Sequence, residues 1–94
     1  MLILDLVANH LAVVKLAARG ITGDEIDQVI GNDPAVGDNP NSRVDGSKIL
    51  VGHRDIARFL TVVLQPDDDS ATRWHVMTAW DSSARQIDSF HRKR

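Results

Sequence analysis

The sequence predicts an α+β fold: two N-terminal helices packed on a three- to four-stranded antiparallel sheet, followed by a C-terminal helix. Three observations carry this expectation. Between Lys48 and Trp80 the runs KILVGHR, RFLTVVLQ and TRWHVMTAW are rich in Val, Ile, Leu, Thr and Trp, residue types that suit a pleated, half-buried surface. Asp55 to Ala57 and Pro66 to Ala71 separate them, and such short polar or Pro-bearing breaks join neighbouring antiparallel strands. The segments before and after this stretch repeat apolar residues at helical spacing.

At 94 residues the chain is expected to form one domain, 1–94, around one core. Its 43% hydrophobic and 26% charged residues match globular averages, so a modest core needs no metal or disulfide staple. There is no cysteine, which removes thiol catalysis and Cys-based metal sites and fits a reducing compartment. No apolar run approaches the roughly 18 residues of a membrane span, and MLILDLVANH lacks a basic leader with a small-residue cleavage site. A cytoplasmic protein without a membrane partner is expected. The net charge of −2 argues against a surface built throughout to attract phosphate. Basic charge is local: Arg85, Arg92, Lys93 and Arg94 leave the last ten residues at +3 once Asp88 is subtracted.

Leu4, Val7, Leu11, Val14 and Ala18 recur at three-and-four spacing, which predicts a helix over about 5–19 ending at Gly20. Met1 to Leu4 can instead be read as a short leading strand. Thr22 and Glu25 form a capping box, with Ile21 and Ile26 at the staple positions, so a second helix covers about 23–30 and buries Ile26, Val29 and Ile30. Asn32 to Ser47 holds two Pro, two Gly and eight Asn, Asp or Ser, and reads as mostly loop that can include a short strand at Ala35 to Gly37. In such a long loop Arg43 is a candidate contact for phosphate or an acidic partner.

Strands are expected over about 48–54, 58–65 and 72–80. In the middle one Leu60, Val62 and Leu64 point one way and Phe59, Thr61 and Val63 the other, so both faces need cover. In the last one strict alternation puts Trp74, Val76, Thr78 and Trp80 together, with Arg73, His75, Met77 and Ala79 opposite. The tryptophan stripe reads either as core or as a partner-binding surface. Asp81 or Ser82 can cap a final helix over about 82–92 whose Ala84, Ile87 and Phe90 or His91 return to the sheet. Arg92, Lys93 and Arg94 then stand at its favourable C-terminal end. No His pair has ligand spacing with a carboxylate and no Gly-rich phosphate loop occurs, so no metal and no cofactor are expected.

The stretches ARGITGDEIDQVIGNDP, RFLTVVLQP and RWHVMTAWDSSARQIDSF, spanning about Ala18 to Phe90, resemble in order and spacing the BrnT-like toxins of type II toxin–antitoxin operons. The resemblance implies a RelE-like layout, metal-independent ribonuclease activity that halts translation, and a cognate antitoxin as partner. A toxin–antitoxin hetero-oligomer or a homodimer would follow. The family's last strand usually ends Ala-Arg, and its tail carries a Glu-Arg pair and then a Tyr. Trp80, Gln86, Ile87 and Phe90 stand at those positions here, none able to titrate or carry charge.

RNA cleavage needs groups to deprotonate a 2′-hydroxyl, stabilise the phosphorane and protonate the leaving oxygen. The imidazoles and guanidiniums that remain are His53, Arg54, Arg58, Arg73, His75, Arg85 and His91. Of these, His53, Arg54, His75 and Arg85 are the catalytic candidates, and Arg43, Arg58, Arg73 and Arg92 are candidates for holding the substrate's phosphates. Trp74 and Trp80 are the partner-binding candidates. A module that keeps the fold and binds a protein without catalysis is the second reading.

Overall fold

The computed structural model describes residues 2–40, 45–53 and 58–93, Lys93 by its backbone alone. The chain runs β1 (Asp5–Val7), α1 (His10–Ala18), α2 (Gly23–Gly31), β2 (Ala35–Asp38), β3 (Lys48–His53), β4 (Phe59–Pro66), β5 (Arg73–Asp81), α3 (Ala84–Lys93). The strands form one sheet in the order β1-β5-β4-β3-β2. Helices α1 and α2 pack on one face and α3 on the other. The α+β class and three central strands agree with expectation, but the sheet is five-stranded and mixed: β1 runs parallel to β5, Leu6 beside Trp74.

The core on the α1/α2 face joins Leu16, Ile21, Ile26 and Val29 to Leu50, Leu60, Val62, Leu64, Trp74, Val76 and Ala79. On the α3 face Val51, Thr61, Val63 and Phe90 are buried. The central strand is thus covered on both sides, as its two apolar faces require. Helix α2 has the predicted capping box, Thr22 Oγ1 accepting from the Glu25 amide at 3.2 Å and Glu25 Oε1 from the Thr22 amide at 3.1 Å. Gly52 lets the junction after α2 lie against β3, since a Cβ there would stand 3.0 Å from Pro34 Cβ and 3.2 Å from Val29 Cγ1.

Two expectations are corrected. The first helix begins at His10, not near residue 5, because Asn9 is its N-cap and accepts from the Ala12 amide at 2.8 Å. Its buried residues are Ala12 and Leu16, whereas the predicted stripe faces outward, Leu11 being 63% and Val14 49% exposed. Leu11, Ala12, Val13, Val14 and Leu16 surround the helix with apolar groups, so spacing alone cannot choose the inward face.

The second correction concerns β5. Val63 pairs with Thr78 but Leu64 with Val76, which leaves Met77 as the extra residue of a β-bulge. An inserted residue reverses the alternation beyond it. Trp74, Val76 and Ala79 therefore share the α1/α2 core, while Trp80 turns to α3, its Nε1 donating to Gln86. The two tryptophans do not form one stripe.

Candidate functional site

The end of the sheet where β3 meets β4 gathers four rings. His53 closes β3 opposite Phe59, which opens β4, so both side chains leave the sheet on the α3 side. Phe90 descends onto them from α3, with ring centroids 6.0 Å from His53 and 5.4 Å from Phe59. His53 lies 5.8 Å from Phe59, all edge to face. His91 joins from the next helical position, 5.8 Å from Phe59 and 5.3 Å from Phe90. Both imidazoles thus contact the same two phenyl rings, and the Asn32 amide fixes the strand end by donating to the His53 carbonyl at 2.8 Å.

What aims α3 at this end is Gln86. Its Oε1 accepts from Trp80 Nε1 at 3.2 Å, from the Ser83 amide at 2.9 Å and from Thr61 Oγ1 at 2.9 Å. An indole and a backbone N–H only donate, which fixes the amide's orientation. Ser83 Oγ accepts in return from the Gln86 amide at 3.2 Å, so Ser83 and Gln86 form a second capping box and the N-cap is Ser83 rather than Asp81 or Ser82. The Ser-x-x-Gln spacing signalled this box in the sequence. Gln86 thus holds the helix in place against β4 and β5.

The other end of the same face is made of ions. His75 Nε2 and Asp67 Oδ1 are 2.7 Å apart, and Arg73 Nε donates to Asp5 Oδ2 at 2.8 Å. Asp67 Oδ2 also accepts from the Asp69 and Ser70 amides at 3.0 and 3.1 Å, folding the turn between β4 and β5. The bond to His75, then that from the Asp69 amide, holds the Asp67 carboxyl below the usual carboxylate range. The bond to Asp5 raises the Arg73 guanidinium.

Arg58 belongs to the opposite face. Its Nε and Nη2 donate to the two oxygens of Asp81 at 2.7 and 3.2 Å, and its Nη1 donates to Glu25 Oε2 at 2.9 Å. Hydrogen bonding to Asp81 raises the Arg58 guanidinium, and the Asp81 carboxyl is lowered by the same bond. Arg58 thereby ties β4 to β5 and to the buried capping carboxylate of α2. Arg19 similarly reaches β5 beyond the bulge, Nη1 donating to Thr78 Oγ1 at 2.7 Å and to the Ala79 carbonyl at 2.9 Å.

The predicted catalytic residues are therefore not brought together. His53 pairs with Phe59, and His75 with Gln65 on the same strand; six residues of β4 separate them by about 20 Å. Arg58 flanks the turn after His53 but its guanidinium lies across the sheet from it. Arg85 and Arg92 are exposed on α3, next to the sheet-facing Gln86 and two residues beyond Phe90, and so turned away from the sheet. Arg73 is paired with Asp5, Trp74 is in the core, and Arg43 and Arg54 lie outside the described residues. Among the described residues no three His, Asp or Glu side chains are grouped as metal ligands, and no helix is long and apolar enough to cross a membrane.

No protein-family model matches the chain, and no curated protein matches it in sequence. In three dimensions it is similar to the crystal structure of the Brucella abortus ribonuclease toxin BrnT, with a TM-score of 0.58 and 10% sequence identity over 84% of this chain and 96% of that one. What the two share at that identity is the fold: this chain, read in sequence as resembling the BrnT-like toxins, carries the fold of a BrnT ribonuclease toxin.

Proposed function

We propose that this chain is the toxin component of a type II toxin–antitoxin system, a cytoplasmic ribonuclease that works without a metal and is neutralised by a cognate antitoxin. The observation that carries the reading is the likeness to the BrnT ribonuclease toxin across nearly the whole of that protein. Within this fold the ring-lined end of the sheet is the best place for the chemistry. It offers His53 beside α3, with Arg54 next in the chain and Arg85 and Arg92 on the helix to meet phosphates. His75, Arg73 and Arg58 are engaged with carboxylates and serve the fold. Inducible expression in bacteria is expected to arrest growth, and the purified chain is expected to cleave RNA in the presence of a chelator. His53→Ala should relieve the arrest while the far-ultraviolet circular dichroism is unchanged. Arrest that persists in the His53, Arg54 and Arg85 variants alike would refute this placement.

A second reading has its own observation. Leu2, Leu4, Leu11, Val13 and Val14 are all about half exposed or more, and an apolar surface of that kind marks a protein contact. A binding or dimerising module without catalysis would use this surface rather than the buried Trp74. Light scattering that gives a dimer, together with no RNA cleavage under any condition, would favour it.

A further inference from the structure

We infer that His91 is a second catalytic residue, working with His53 as an acid–base pair on RNA; the inference rests on the ribonuclease reading. The observation is the shared neighbourhood. Both imidazoles stand edge to face against Phe59 and Phe90, at centroid distances between 5.3 and 6.0 Å. One ring comes from the end of a strand and the other from a helix, and Gln86 fixes that helix to β4 and β5 through two hydrogen bonds. Two proton-transfer groups are thus held against the same pair of phenyl rings by rigid elements. The other strand histidine stands at the far end of the same face, with a carboxylate oxygen 2.7 Å from its Nε2.

Cleavage of RNA without a metal needs two proton transfers, and histidine is the side chain that both accepts and donates protons near neutral pH. One imidazole removes the proton of a ribose 2′-hydroxyl. The 2′-oxygen then forms a bond to phosphorus, the bond from phosphorus to the 5′-oxygen of the next nucleotide breaks, and the other imidazole, entering as imidazolium, gives its proton to that oxygen. The products are a 2′,3′-cyclic phosphate and a free 5′-hydroxyl. Each proton taken by one ring is matched by one given by the other, so the pair ends with its roles exchanged. The substrate class is RNA with a free 2′-hydroxyl, so DNA and 2′-O-methyl RNA are not cleaved.

The test uses the full chain and its His53→Asn, His91→Asn and His75→Asn variants on one RNA oligonucleotide. His91 is exposed, so its variant should fold, and His91→Gln serves as a second, longer replacement. The His53 and His91 variants are expected to lose about 10²- to 10⁴-fold in rate, the range for removal of one general acid or base, and His75→Asn to stay within a few-fold. A bridging 5′-phosphorothiolate RNA, whose thiolate leaves without a proton, should restore one of the two slow variants and not the other. His91→Asn and His91→Gln at the wild-type rate would overturn the pair and leave the ribonuclease reading standing, as would rescue of both variants or of neither. No cleavage of any RNA by the wild-type chain would overturn the reading and the pair together.

Discussion

The two ends of the sheet's α3 face hold one strand histidine each and treat it differently. At the β3–β4 end His53 meets two phenyl rings, against which the His91 ring also stands. At the β4–β5 end His75 meets Asp67, with Arg73 and Asp5 close by. A carboxylate that already accepts two backbone N–H groups fixes a turn, and a histidine bound to it is part of that turn. The same residue type is therefore tied into an ionic turn at one end and packed among rings at the other, and the neighbours decide which.

The sharpest way to break this contrast is to exchange the outcomes: if His75→Asn abolished RNA cleavage and His53→Asn did not, the assignment of the two ends would be reversed. The expected loss at His53, 10²- to 10⁴-fold, is about 3 to 5 kcal/mol of transition-state stabilisation. Next in size is Phe90→Ala, which removes the buried ring beneath both imidazoles. It should cost about 3 kcal/mol in chemical denaturation, in the usual range for a core Phe, and reduce cleavage as well. A stability loss under about 1 kcal/mol would mean that the ring cluster does not hold α3.

Arg58→Met is expected to cost about 2 kcal/mol, less than a fully buried pair because the arginine is partly exposed, and most of it from removing the guanidinium beside the buried Glu25 carboxylate. Cleavage per folded molecule should be unchanged, since Arg58 lies on the other face. The smallest effect is in acid. Asp67 and Asp81 are held below the ordinary carboxylate range, so each contributes stability that is complete above about pH 4 and is lost as the pH falls below it through the depressed values. Melting temperatures of Asp67→Asn measured from about pH 5 to pH 2 should fall less steeply than those of the wild-type chain. An identical slope would show that the His75–Asp67 contact is not what sets the acid limit.

Much of the architecture was legible because local signals and tertiary structure agree. The central strand's double alternation called for cover on both faces and has it, and Thr22 with Glu25 announced the start of α2. At the N-terminus they part: a helix with apolar groups all round has no preferred side, and only docking against β5 selects Ala12 and Leu16. The pairing of β1 with β5 joins residues nearly seventy positions apart, which no window of sequence contains. The bulge at Met77 is equally hidden, since the alternation on either side of it looks continuous. Of the site, the histidines could be named from residue type. That His53 and His91 stand against the same two phenyl rings, and that His75 does not join them, depends on where α3 crosses the sheet. Gln86 sets that crossing, and its Ser-x-x-Gln box is a signal the sequence did contain.

The reversal at Met77 also equips the molecule with two separate optical reporters. Its only tryptophans stand on opposite sides of the sheet, Trp74 in the layer beneath α1 and α2 and Trp80 bonded to the first turn of α3. Their emission responds to different parts of the protein. With Trp74 replaced by Phe, the remaining fluorescence follows the docking of α3; with Trp80 replaced, it follows the main core. Release of the tail helix can then be timed apart from loss of the whole fold.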